Sequence, residues 1–296
     1  MRQLLIGSGG LVGSGFLATS SGTLTTPSGQ VPWAEPQAAR AMIDQEVSRF
    51  IESGGGGPWR IIWAAGVGRV GAPAEALESE MQALIGLSNA VTRVPDKARA
   101  GQVVLASSAG ALYGRHGSGI IRDDTPPCPL DTYGIMKVDQ EDLLRQLGDL
   151  GTSVVLCRFA NVFGLRGRGA LGGGLVCAGI RAAFDRKALQ VYVNIDTRRD
   201  YVYNLDSARL ALEVADRAGP GVTTRLVCSG RTMSVAEVLE TVRRVMRRRV
   251  PVVYGSRRET ALQPRTLSLR SCTQVPLTPF ACAISATAIG TRHLGN

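Results

Sequence analysis

The sequence predicts an α/β fold: a doubly wound parallel sheet with a smaller C-terminal α/β cap. Three observations carry this. Short apolar runs at 3–6, 60–65, 102–106 and 152–158 have the length and composition of strands buried on both faces. Stretches with helical spacing lie between them, at 36–51, 75–94 and 132–147. Strand and helix alternating at this interval signal parallel strands covered by helices on either side.

Taken in order, the run 3–6 stops at Gly7 and passes through a glycine-rich turn into a brief helix over 11–18. Residues 20–30 are rich in Ser, Thr and Gly and define no element. The span 36–51 sets Ala39, Ile43, Val47 and Phe50 on one helical face, and the tetraglycine 54–57 is a flexible connection. Gly66 ends the strand 60–65, and the strand 102–106 runs into Ser107-Ser108-Ala109-Gly110. Six glycines in 164–174 read as a loop leaving the sheet. A helix over 235–248 belongs to the cap, and the last ~25 residues, mixed in composition, are expected to be partly mobile. The expected division is 1–163 with 191–219 as the larger domain, and 164–190 with 220–296 as the smaller.

Composition excludes several function classes. No apolar run approaches the ~20 residues of a membrane helix. Met1-Arg2 is followed by five glycines between Gly7 and Gly15 rather than a leucine-rich stretch, so no signal peptide is expected and the cytoplasm is the default. Six scattered cysteines lack any C-x-x-C pair, which argues against a metal site or a disulfide framework. With only His116 and His293, histidine-based catalysis has little material. The formal charge is +10, and 243–270 holds nine arginines against the single acid Glu259. No nucleic-acid motif or aromatic interleaving accompanies them, so the stretch reads as a solvated helix face or a site for a phosphorylated small molecule.

Gly7-Ser8-Gly9-Gly10-Leu11-Val12-Gly13 is a G-x-x-G-x-x-G turn directly after the first strand. Its glycines allow a tight turn and close approach of backbone to a pyrophosphate, which then rests on the next helix's N-terminus. Gly7, Ser8, Gly10, Leu11, Val12 and Gly13 are therefore candidate dinucleotide contacts, in a Rossmann-type fold. Residues 20–33 contain no acid to hold the adenosine ribose, which leaves NAD and NADP both open. A small hydroxyl residue such as Ser28 would tolerate a 2′-phosphate.

Tyr133 and Lys137 stand at i and i+4 on one helical face. A free phenol, with its pKa near ~10, is a poor base at neutral pH. A neighbouring ammonium and a nicotinamide's positive charge favour the phenolate, which then exchanges a proton with a substrate hydroxyl as hydride moves. Ser108, at the C-terminal end of a strand, is placed to hydrogen-bond the reacting oxygen.

These motifs resemble the extended short-chain dehydrogenase/reductase family, the sugar-nucleotide epimerases and dehydratases. The likeness spans roughly 3–239. It rests on the glycine turn, Trp63-Ala64-Ala65, and Ser107-Ser108-Ala109-Gly110-Ala111-Leu112-Tyr113-Gly114. It rests also on Asp124-Thr125-Pro126-Pro127 before the Tyr133/Lys137 helix, Arg158-Phe159-Ala160-Asn161-Val162-Phe163-Gly164, and Arg199-Asp200-Tyr201-Val202-Tyr203. The resemblance implies that Ser108, Tyr133 and Lys137 are catalytic, with Tyr133 and Lys137 also meeting the cofactor. It implies that Ala64 and Ala65 line the dinucleotide's path, and that Ser108, Asn161, Arg199 and Arg258 (or its neighbour Arg257) meet a nucleotide-sugar substrate. For Arg199 the alternative is a salt bridge with nearby acids such as Asp196. Ala109 and Gly110 replace the acidic pair of the sugar dehydratases, so epimerisation through a transient ketone or net reduction of a keto sugar remains. A small non-nucleotide carbonyl substrate reduced with NADP is the enzyme alternative, and a non-catalytic dinucleotide sensor the non-enzyme one. A homodimer through a helix bundle is the family's habit. No metal, nucleic-acid partner or membrane association is implied.

Overall fold

The structure is a computed structural model, and it describes residues 1–66, 71–94, 96, 100–117, 119–255, 264–272 and 275–292. In chain order the larger layer holds β1 (Arg2–Ile6), α1 (Leu11–Thr19), β2 (Leu24–Thr25), α2 (Pro36–Glu52), β3 (Trp59–Trp63) and α3 (Ala74–Thr92). It continues with β4 (Gly101–Ser108), the single turn α4 (Ala109–Leu112), β5 (Ile120–Ile121), α5 (Thr132–Gly148) and β6 (Ser153–Phe159). Then come β7 (Asn161–Phe163), α6 (Gly174–Asp185), β8 (Leu189–Val191), β9 (Arg198–Tyr203), α7 (Asn204–Arg217) and β10 (Gly221–Val227). β11 (Thr232–Ser234), α8 (Val235–Met246), β12 (Val252–Tyr254), β13 (Ser268–Leu269) and α9 (Phe280–Arg292) follow.

Six strands form one parallel sheet in the order β10-β6-β4-β3-β1-β2. The period of two in its strands explains the two helical layers. Leu4, Ile6, Ile61, Trp63, Val103 and Leu105 point to the side of α2, α3 and α5. Leu5, Ile62 and Val104 point to the opposite face, against Phe16 of α1 and Ala208, Ala211 and Val214 of α7. Both sets are buried, which is why these strands read as continuous apolar runs.

Two regions differ from the sequence expectation. Gly221–Val227, beyond the expected boundary at 219, is an outer strand of the main sheet. Its Thr223, Thr224 and Arg225 are only partly buried, as suits an edge, and this polar composition hid it. The C-terminal residues 280–292, expected to be partly mobile, form α9. Ala283 and Ile284 of α9 are fully buried, and Phe280 meets Phe163 edge-on at 5.3 Å between ring centroids. With α6 and α8 it covers the three-stranded sheet β11-β9-β7.

Candidate active site

Strand register brings the first groups together. Ile6 pairs with Trp63 and Trp63 with Leu105, so the turn at Gly7, the segment Ala64–Gly66 and the end of β4 share the carboxyl edge of the sheet. Gly7 has φ +97°, and a Cβ there would lie 2.4 Å from the Ala65 nitrogen, so only glycine fits. At Gly13 a Cβ would fall 1.9 Å from the Gly7 carbonyl oxygen. The outcome is a cleft of about 570 Å³ walled by Gly7, Ser8, Gly10, Ala64 and Ala65, with Thr26, Gln30 and Trp33 from the loop after β2. Gly10 caps the amino end of α1, whose free N–H groups make this an anion-binding edge. Leu11 and Val12 open that helix from one step back: Val12 packs on the core and Leu11 lies beside Gly172. Behind the loop, Glu46 of α2 accepts hydrogen bonds from the Ser28 nitrogen (3.2 Å) and hydroxyl (2.6 Å). Burial alone would raise the Glu46 carboxyl, but Ser28 and Arg49 hold it below its usual value, as a carboxylate.

Ser108 ends β4 and caps α4, its Oγ accepting from the Ala111 nitrogen at 3.3 Å. The start of α5 is fixed by Asp131, whose Oδ1 accepts from the Gly134 nitrogen at 2.8 Å. Gly134 runs tight against α4, where a Cβ would lie 2.5 Å from the Ala111 oxygen. That approach sets Tyr133 next to Ser108, near enough for the serine hydroxyl to favour the phenolate. Lys137 follows one turn later, with Nζ 5.6 Å from the Tyr133 ring centroid.

Opposing influences act on the tyrosine. Burial pushes the Tyr133 phenol up and outweighs Lys137 and Ser108, which favour the phenolate; Glu80 opposes it too. The expected help from the ammonium is present, but on the protein alone burial wins. Lys137 Nζ donates to Glu80 Oε1 at 2.8 Å and to Gln140 Oε1 at 2.9 Å. Burial would pull Lys137 down, yet Glu80 more than offsets it and holds the ammonium above its usual range. Sequence reasoning missed Glu80 and Gln140. A signal existed: Glu80 falls on the stripe Leu77, Leu84, Leu87, Val91 of α3, where a carboxylate interrupts an apolar face.

A second cavity, of about 280 Å³, is lined by Asn161, Gln190, Tyr192, Thr197 and Arg199, among others. Asn161 and Arg199 sit on the adjacent parallel strands β7 and β9. Burial holds the Arg199 guanidinium below the usual arginine range. Asp196 pairs with Arg265 at 2.9 Å, not with Arg199. Of the arginine-rich stretch, Arg243 pairs with Glu240 at 2.7 Å and Arg248 donates to the Ala183 carbonyl at 3.1 Å, a helix face and its end. Arg257 and Arg258 lie outside the described residues.

A glycine-cradled cleft at the carboxyl edge of a doubly wound sheet, with Ser, Tyr and Lys beside it, defines a dinucleotide-binding fold of the extended short-chain dehydrogenase/reductase type. The chain belongs to the NAD dependent epimerase/dehydratase family, whose pattern it matches over residues 33–227. It is 31% identical over 188 residues to UDP-glucose 4-epimerase of Azospirillum brasilense, covering 58% of this chain and 54% of that protein. The chain thus spans about half the length of the curated relatives it matches. Among solved structures it superposes on Thermus thermophilus UDP-glucose 4-epimerase in complex with NAD (TM-score 0.78, 22% identity, 99% of each chain). It superposes equally on the Thermotoga maritima UDP-glucose 4-epimerase with UDP-glucose (TM-score 0.78, 17% identity, 100% of each chain). At these identities the structural likeness is one of fold. Among the described residues no helix is long and apolar enough to cross a membrane, and no group of His, Cys, Asp or Glu could hold a metal ion.

Proposed function

We propose that the protein is an NAD-dependent epimerase of a nucleotide-activated sugar, with a UDP-hexose inverted at C4 as the substrate the relatives favour. The observation that carries this is the placement of Ser108, Tyr133 and Lys137 on the same sheet edge as the glycine-cradled cleft, with the Asn161/Arg199 cavity close by. The cleft fits a dinucleotide, because the space Cβ atoms would fill at Gly7 and Gly13 is taken by backbone that a pyrophosphate must approach. When bound, NAD supplies the hydride acceptor and donor. Tyr133 removes the proton from the sugar hydroxyl and returns it after the sugar has turned over, Ser108 hydrogen-bonds the reacting oxygen, and Lys137 supplies positive charge to the phenolate. Arg199 and Asn161 hold the substrate's phosphates, with Arg258 as a further contact. Ala109 and Gly110 supply no acid or base beside Ser108, so elimination of water has no catalyst there.

NAD is favoured over NADP because the Glu46 carboxylate holds Ser28, between the cleft-lining residues Pro27 and Gly29, and so puts negative charge behind that wall of the cleft. The protein works in the cytoplasm, where NAD and UDP-sugars are held, and as a homodimer. Purified protein incubated with UDP-glucose and catalytic NAD should form UDP-galactose with no net NADH, read by chromatography of the sugar nucleotides. Steady consumption of NADPH with a small carbonyl compound, and no epimer, would establish the reductase reading instead.

A further inference from the structure

The Tyr133–Lys137 pair rests on a buried acid that its sequence motif does not contain. Glu80 is fully buried on α3, and its Oε1 receives Lys137 Nζ at 2.8 Å and Gln140 Nε2 at 3.0 Å. Gln140 in turn accepts from Lys137 at 2.9 Å, so three side chains close a small ring under α5. The carboxylate reaches the floor of the dinucleotide cleft: a Cβ on Gly66 would lie 3.2 Å from each Glu80 oxygen, and Gly66 lines the cleft. An ammonium has three N–H donors. Two are used here among the described residues, and Nζ lies 5.6 Å from the Tyr133 ring centroid.

We propose that Glu80 is a positioning residue for the reaction, holding Lys137 as an oriented cation with one N–H directed to the phenolate and the cofactor ribose. This rests on the reading of Tyr133 and Lys137 as the proton-handling pair. Without an anion, a lysine this deeply buried sheds its proton readily, because desolvation disfavours the charged form. The other charged groups near Lys137 do not replace Glu80. Glu141, on the next turn of α5, is taken by Arg158 at 2.7 Å, and Asp131 is engaged at the helix cap. Tyr133, the remaining titratable neighbour, is held protonated by burial on the protein alone.

The sequence makes a direct test practical, since it contains only three lysines, Lys97, Lys137 and Lys187. Protein labelled with 15N at lysine side chains gives a signal for each, and Lys137→Met assigns the one of interest. In the wild type, the Lys137 ammonium signal should persist to the alkaline end of a pH titration. In Glu80→Gln it should lose its proton at least about one pH unit earlier, while Glu80→Asp, which keeps the charge, should restore wild-type behaviour. Glu80→Asn serves as the neutral variant if Glu80→Gln does not fold. An unmoved Lys137 titration in the neutral variant, or an equal displacement in Glu80→Asp, would overturn the proposal. The titration uses neither sugar nor NAD, so failure of the epimerase assay would leave its result standing and would count against the proposed function alone.

Discussion

Two buried ion pairs share helix α5, one turn apart, and they are built differently. Arg158 meets Glu141 in a forked pair, Nε to Oε1 at 3.0 Å and Nη2 to Oε2 at 2.7 Å. Ser107 adds a hydrogen bond to Glu141 at 2.8 Å, and Tyr113 caps the remaining guanidinium nitrogen. Each guanidinium nitrogen faces a fixed acceptor, so this pair ties β4, β6 and α5 together. Lys137 and Glu80 form a single contact, with Gln140 bridging and, among the described residues, one ammonium N–H unused. The chemistry of the cations sets the difference. A guanidinium holds its charge in any protein environment and suits a closed lock, whereas a lysine's charge depends on its surroundings and can be set by a neighbour.

Breaking each pair should separate the two roles. Glu141→Ala leaves a buried guanidinium that cannot neutralise itself, and should cost about 3–5 kcal/mol, read as a fall in unfolding free energy by urea titration. Asp200 sharpens the contrast from the other side. This carboxyl is buried and meets the Ser229 nitrogen at 2.8 Å and hydroxyl at 3.0 Å, and burial pushes it up to about 6. Its folded value lies above the ordinary 3.8, so the folded state binds the extra proton between the two. That contribution to stability is present at the acid end of the window and lost as pH rises through about 6. Asp200→Asn should flatten the stability profile there by about 3 kcal/mol, and an unchanged profile would show that Asp200 titrates normally. The smallest effect is expected at Glu80→Gln, about 1 kcal/mol, because glutamine keeps an acceptor for Lys137 and the lysine can release its proton. A loss as large as that of Glu141→Ala would mean that both pairs are structural locks.

Much of this was legible in the sequence, for identifiable reasons. β1, β3, β4 and β6 are buried on both faces and so appear as unbroken apolar runs. The glycine turn and the Tyr133/Lys137 spacing are local patterns, and local patterns survive in one dimension. What escaped notice depends on contacts between distant segments. Glu80 and Lys137 are 57 residues apart, and only the packing of α3 on α5 joins them. Residues 20–33 contain no acid, and the carboxylate that meets Ser28, Glu46, lies 18 residues on and comes from a helix rather than a strand end. β10 was hidden by edge polarity, and α9 by a run of small residues, Ala281, Ala283, Ser285 and Ala286, with weak periodicity.

The central claim is that Tyr133 carries the proton in a hydride transfer. It is tested by Tyr133→Phe, assayed with UDP-glucose while NAD affinity is measured in parallel. Turnover should fall by roughly 10²–10⁴-fold with the dissociation constant for NAD little changed, since Lys137 and the glycine turn remain. Full turnover in the phenylalanine variant would contradict the account.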